Sequence, residues 1–209
     1  MNVAYNIDCM EYMRTLPNKY FDLAVCDPPY GININHNIGR RKGCKPSGHK
    51  KICWDAAPPP PSDYFNELRR VSKEQIIWGA NYFVSRMPWD SRCWLLWDKK
   101  FSDKLTFSQF ELAYTSFKCG TKKFDKSPNT KFAKIHPTQK PVELYEWIFA
   151  MFTKPGDKVL DTHLGSGSSR IAAHKMGLSF IGCEIDNDYF NQQEQRYSTY
   201  LADCDFFEG

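Results

Sequence analysis

Phe21-Asp-Leu-Ala-Val-Cys26 is a short apolar run that stops at Asp27-Pro28-Pro29, where proline cannot supply the donor that a sheet ladder needs. The pattern predicts a strand that delivers Asp27 at its carboxyl end. Tyr64 to Ser72 has the spacing of an amphipathic helix, and Gln75 to Trp78 reads as a buried strand ahead of Gly79. Cys93 to Trp97 is another short apolar run, and Glu111 to Phe117 has strand character. Pro141 stands where a helix would begin, with Val142, Tyr145, Ile148, Phe149 and Phe152 recurring at helical spacing up to Lys154-Pro155-Gly156.

The last third alternates. A strand is expected over Lys158 to Asp161, then a Gly-Ser loop, a helix over Ser169 to Met176, a turn at Gly177, a strand over Ser179 to Glu184, and a final helix from about Asp188. Strand, crossover helix and strand form a βαβ unit, and such crossovers are right-handed with few exceptions. The expected fold class is therefore α/β with a mainly parallel central sheet. Between these elements lie a polar, basic stretch from His36 to Ile52, the prolines Pro58 to Pro61, and a weakly patterned basic loop from Lys118 to Lys134. No internal repeat is visible.

At 209 residues one domain is the expectation. The net charge of +4 permits a polyanionic partner without requiring one. Aromatic residues make up 15% of the chain, enough to supply core or base-stacking surface, and composition does not choose between them. Eight cysteines (9, 26, 44, 53, 93, 119, 183 and 204) accompany an amino terminus without a basic segment and apolar run. Free thiols and a cytoplasmic location follow as expectations. No stretch reaches the roughly 20 apolar residues that span a bilayer.

In Val159-Leu-Asp-Thr-His-Leu-Gly165-Ser-Gly167-Ser-Ser, small residues let the backbone turn sharply from strand to helix and approach a ligand. Glu184 closes the next strand, near the distance at which an acidic side chain grips ribose hydroxyls in nucleotide-binding βαβ units. A dinucleotide fingerprint would need glycine where Arg170 stands, and no Gly-Lys-Ser/Thr run exists for a Walker loop. On the loop alone, a tight strand-to-helix turn remains an alternative. Asp27-Pro28-Pro29-Tyr30 likewise admits two readings, a strand-ending turn or a catalytic acceptor with a rigid backbone and an aromatic ring.

The order of the motifs changes that balance. Asp27-Pro-Pro-Tyr30, then His136-Pro-Thr-Gln-Lys-Pro141, then the glycine loop resembles the DNA amino-methyltransferases in their permuted, β-class order, where the acidic tetrapeptide comes first and the cofactor loop last. Asn6-Ile-Asp8-Cys9, Leu16-Pro17, Ile76-Ile-Trp-Gly-Ala-Asn-Tyr82 and Trp97-Asp98-Lys99 extend the resemblance along the chain, toward compact adenine-N6 enzymes of phage and prophage type that accompany restriction-modification. It implies a Rossmann-like fold that binds S-adenosylmethionine, with residues 1–209 as one catalytic domain.

By position, the resemblance gives the catalytic role to Asp27, Pro28, Pro29 and Tyr30. It puts Asp161, Thr162, His163, Gly165, Ser166, Gly167 and Ser168 around the cofactor, with Asp27 beside it. Glu184 and Ile185 would lie at its ribose, Asp8 and Cys9 by its adenine, and Thr138, Gln139 and Lys140 near its methionine portion. The usual Asp-Pro-Phe opening of the loop is Asp161-Thr162-His163 here, so His163 is expected to fill the aromatic position. No metal is expected.

Double-stranded DNA is the expected partner, no membrane is, and a homodimer is compatible with the sequence. The basic loop at 36–57, with Arg40, Arg41 and Lys42, is expected to contact phosphates. A solvated loop is the competing reading. The segment at 100–135, with Lys122 and Lys123, falls where target recognition is expected. Cys44, Cys53, His36 and His49 lack the close pairs of a zinc site. Cytosine-N4, RNA or protein-glutamine methylation, and a silent binding module that keeps the cofactor pocket, stand as alternatives.

Overall fold

The structure is a computed structural model that describes residues 1–32, 58–101, 108–128, 135–136 and 138–208. The basic loop with Arg40, Arg41 and Lys42, and the residues weighed as zinc ligands, lie outside the described residues.

The strands are β1 (Asn2–Asn6), β2 (Phe21–Cys26), β3 (Ser72–Trp78), β4 (Trp94–Asp98), β5 (Phe110–Thr115), β6 (Lys122–Asp125), β7 (Lys158–Asp161) and β8 (Ser179–Glu184). They join one sheet in the order β1-β8-β7-β2-β3-β5-β4-β6. Only β5 runs against its neighbours, β3 and β4. The helices are α1 (Cys9–Arg14), α2 (Ser62–Val71), α3 (Val142–Phe152), α4 (Ser168–Lys175) and α5 (Asn187–Glu208).

Helices cover both faces of the sheet, which explains why β2 reads as a continuous apolar run. Leu23 and Val25 pack with Leu144, Ile148 and Phe149 of α3 and Ala172 and Ala173 of α4. Ala24 and Cys26 point the other way, to Met13 of α1 and Tyr64, Phe65 and Leu68 of α2. Arg70 fastens the second layer, donating to the carbonyls of Met13 and Leu16 at the end of α1, 2.8 Å each.

Two expectations change. The segment from Lys118 to Lys134 is not all loop, because Lys122–Asp125 pairs with β4 as an edge strand. Its lysines suit an edge that must not pair further. In addition, β1 and α1 form where the hydrophobic pattern predicts nothing. β1 is held by its ladder to β8. α1 is started by Asp8, whose Oδ1 accepts from the amides of Met10 and Glu11. The described cysteines 9, 26, 93, 119, 183 and 204 are free thiols. Among the described residues no helix is long and apolar enough to cross a membrane, and no side-chain group could hold a metal.

Candidate active site

Four neighbouring strands, in sheet order β1, β8, β7 and β2, each end beside a carboxylate: Asp8, Glu184, Asp161 and Asp27. Parallel strands put these acids on one edge of the sheet, where α/β folds bind ligands. Burial drives the Asp161 carboxyl up to about 7, and the negative Asp27 and Glu184 add to the rise. Glu184 is also raised, chiefly by burial. Two buried acids, Asp161 and Glu184, that disfavour their own ionisation are matched by a positively charged ligand.

The loop after β7 closes over this edge. Gly165 and Gly167 take positive φ, 52° and 72°, which glycine adopts without steric cost. The Gly165 amide donates to Glu184 Oε2 at 2.8 Å, and the Asp186 amide to Oε1 at 2.9 Å. Asp161 accepts from the Ser169 hydroxyl at 2.6 Å and the His163 amide at 3.0 Å. A Cβ at Gly165 would come within 3.8–3.9 Å of the His136 ring, an ordinary contact.

Other expected cofactor residues divide. Thr162 bonds the Tyr64 hydroxyl at 2.6 Å, and His163 lies edge-on to the Tyr64 ring. Burial pushes His163 down to about 4, so it is neutral near pH 7. Cys9 opens α1, with its thiol pushed up to about 12, first by burial. Ile185 is 69% exposed on the rim. Thr138 and Gln139 form a turn on His136, whose ring packs on Tyr189 of α5. Ser166 and Ser168 face elsewhere: Arg196 of α5 holds the Ser166 carbonyl at 2.6 Å and the Ser168 hydroxyl at 2.9 Å. Those two serines brace the loop on α5, because a half-buried guanidinium needs acceptors.

The Asp27 carboxylate is gripped from two sides. Oδ1 accepts from the Tyr30 hydroxyl at 2.6 Å, and Oδ2 from Lys140 Nζ at 2.5 Å. Lys140 is 4% exposed and sits at the Asp27-Pro-Pro-Tyr30 tetrapeptide itself. Its ammonium also lies 3.0 Å from Glu111 Oε2 and 5.4 Å from the centre of the Trp78 ring. Lys99 pairs with the other Glu111 oxygen at 2.5 Å. The Tyr30 ring stacks on Tyr82, centroids 5.1 Å apart, and lies directly over Gly79, where an added Cβ would be 2.1 Å from its Cε1. Gly79, Tyr82 and Lys99 belong to segments that carry the family resemblance, whereas Glu111 is marked only as the start of a predicted strand and by its place in the 100–135 segment. Its only further signal is a carboxylate in an otherwise apolar strand, a residue type rarely buried unless paired.

The family model described as DNA methylase matches residues 67–195, more than half of the chain. The chain belongs to the DNA methylase family. A type II methyltransferase of Moraxella bovis, M1.MboII, is 40% identical, with 92% of this chain and 95% of that protein covered. The crystal structure of an M1.HpyAVI-SAM complex shares the fold at TM-score 0.61 and 20% identity, covering 94% of this chain and all of that one. The cytosine-N4-specific PvuII DNA methyltransferase shares it at TM-score 0.65 and 13% identity, covering 93% and 85%.

The methylase uses S-adenosylmethionine, and the residues at this edge fit that group: a row of acids for a cation, and a turn whose glycines take positive φ. The second basic segment of the methylase is less available to DNA than its sequence suggests. Lys123 is paired with Asp98 at 3.0 Å and Asp125 at 2.9 Å, and Lys126 with Glu143 at 2.7 Å. Lys122 enters β6 at the end of the strand remote from Asp98 and Asp125 and makes no ion pair with a described residue.

Proposed function

We propose that this methylase transfers a methyl group to N6 of adenine in double-stranded DNA, acting on a base swung out of the duplex. The observation that carries the reading is the carboxylate of Asp27, an aspartate where cytosine-N4 enzymes more often have serine, held on the ligand-binding edge by Tyr30 and Lys140. The cofactor supplies a methyl group already activated on a sulfonium, so positioning is the chain's main task.

An exocyclic amine conjugated to a purine is a weak nucleophile, since its lone pair is delocalised into the ring. Asp27 and the carbonyl of Pro28 accept its two hydrogens and favour a pyramidal nitrogen with a directed lone pair. Proline's fixed φ keeps that carbonyl in place. The target base must leave the stack to reach this edge, and the Tyr30 and Tyr82 rings offer it a stacking surface. Tyr82 is 44% exposed. Base stacking of this kind contributes about 1–3 kcal/mol per ring.

Unmethylated DNA incubated with enzyme and tritiated cofactor, then digested to nucleosides, tests the reading. Label in N6-methyladenine is the expected result. Label in N4-methylcytosine would replace the reading with the cytosine one, and no label on DNA would sink both. Arg40, Arg41 and Lys42 are proposed to hold phosphates, so their charge reversal is expected to flatten the salt dependence of DNA binding.

Asp161 gives a separate expectation. With its carboxyl raised from 3.8 to about 7 by burial, the folded enzyme binds the proton more tightly than the unfolded chain. The resulting stability is complete below the ordinary carboxyl range and is lost as pH rises through about 7. Each tenfold gain in proton affinity corresponds to about 1.4 kcal/mol, so ionised Asp161 costs the empty enzyme a few kcal/mol at about pH 8. The cationic cofactor favours the ionised form, so cofactor affinity should rise with pH through this range, with proton release. Asp161→Asn is expected to raise the thermal midpoint at about pH 8 and to flatten the pH dependence of affinity. Thermal melts and calorimetry in buffers of different ionisation enthalpy measure the two effects, and an unchanged pH profile in the variant would refute this.

A further inference from the structure

The Asp27 carboxylate is already satisfied without a substrate. Tyr30 occupies one oxygen and the ammonium of Lys140 the other. As the methyl group arrives, the target nitrogen becomes positively charged. A buried ammonium on the carboxylate that serves this nitrogen would repel the developing charge, and burial makes that repulsion strong. Lys140 must therefore be moved or neutralised for Asp27 to act. It is charged: burial opposes the proton, but Asp27 and Glu111 outweigh burial and raise its pKa.

Beside it lies a second carboxylate, that of Glu111. Glu111 Oε2 is buried and lies 3.0 Å from Lys140 Nζ, so one ammonium is shared between the two carboxylates. The other oxygen of Glu111 is fixed by Lys99 at 2.5 Å. A small shift at the end of the Lys140 side chain gives up the Asp27 contact while the ion pair with Glu111 is kept.

We propose that Glu111 is a positioning residue for methyl transfer, the seat that receives Lys140 when the target amine takes its place on Asp27. The proposal rests on the reading that Asp27 accepts a hydrogen of the target amine. It gives the buried ion pairs a function other than stability, for which they are weak evidence. Tyr30 stays on Oδ1 throughout and keeps the carboxylate oriented.

The experiment compares single-turnover methyl transfer by wild type, Glu111→Gln and Glu111→Asp on a DNA that the wild type modifies. Glu111→Gln keeps the size of the side chain but offers Lys140 no negative seat. Its rate is expected to fall about 10- to 100-fold, with cofactor affinity within about twofold of wild type. Glu111→Asp is expected to recover part of the loss. A merely structural Glu111 would lower stability and cofactor affinity together and would show no rescue by aspartate. A wild-type rate in folded Glu111→Gln overturns the proposal, as does an absence of rescue.

A structure of the wild type with S-adenosylhomocysteine and a duplex carrying the modified site decides the matter without a variant. Lys140 hydrogen-bonded to Glu111 and withdrawn from Asp27 supports the proposal, and Lys140 still on Asp27 overturns it. Failure of the reading beneath it looks different, since the wild type would then modify no exocyclic amine.

Discussion

Asp27→Ala is expected to lower methyl transfer by at least about 10³-fold, the scale found when a preorganised electrostatic contact to the transition state is removed. The variant should fold. Its loss leaves Lys140 beside Glu111, 3.0 Å away, so no buried charge is orphaned. Tyr30 loses the partner of its hydroxyl, but its ring remains stacked on Tyr82. Cofactor affinity should change little, because Asp161, Glu184 and the glycine loop remain and Asp27 lies at the last strand of the acidic row. One effect on binding is predictable in sign: without the Asp27 charge, the Asp161 pKa should move down toward the ordinary carboxyl range. Isothermal calorimetry with the cofactor and a tritiated-methyl assay on DNA separate the two functions. Near-normal turnover, or cofactor affinity lost together with activity, would contradict the assignment of Asp27 as the acceptor.

The parts of this site that the sequence announces are those made from consecutive residues. β7 and β8 run from Lys158 to Asp161 and from Ser179 to Glu184, the bounds that the apolar runs predict. Proline stops β2 in front of Asp27, and Pro141 precedes α3. Such signals are local, and the chain obeys them because both faces of these strands are buried. β1 is different: Asn2–Asn6 has neither a buried run nor clean alternation, and its partner β8 lies at the other end of the chain. β6 is hidden by Lys122 and Lys123, the second of which is met by Asp98 of β4 and by Asp125 of β6 itself. The same reason conceals the role of Glu111. A carboxylate in a strand is visible, but the ammonium that it faces is contributed by Lys140, from a different element, and only the pairing of β5 with β3 and β4 brings them together. Lys140, expected from its motif beside the methionine of the cofactor, is the partner of Asp27 in the folded chain.

Gly79→Ala is the second substitution with a large expected effect. Gly79 has φ +69°, a left-handed conformation that costs a residue with a Cβ about 1 kcal/mol, which a fold can tolerate. The contact is the more serious obstacle. An ideal Cβ at this position lies 2.1 Å from Tyr30 Cε1 and 2.5 Å from Cδ1 and Cζ. An aromatic ring cannot yield as the tip of a flexible chain can. Tyr30 is fixed at its hydroxyl by Asp27 and on its face by Tyr82, so the ring must leave and take the 2.6 Å hydrogen bond to Asp27 with it. Backbone strain and overpacking together should lower stability by about 2 kcal/mol. Activity should fall further than stability explains, by about 10²-fold in a sample that is still fully folded, because both the stacking surface and the orientation of Asp27 depend on that ring. Gly120→Ala is the matched control, since nothing lies within 4 Å of its added Cβ. Thermal melts and the methyl-transfer assay on the two variants give the comparison. A Gly79→Ala enzyme as active as the Gly120→Ala one would mean that the Tyr30 ring is not needed where it lies.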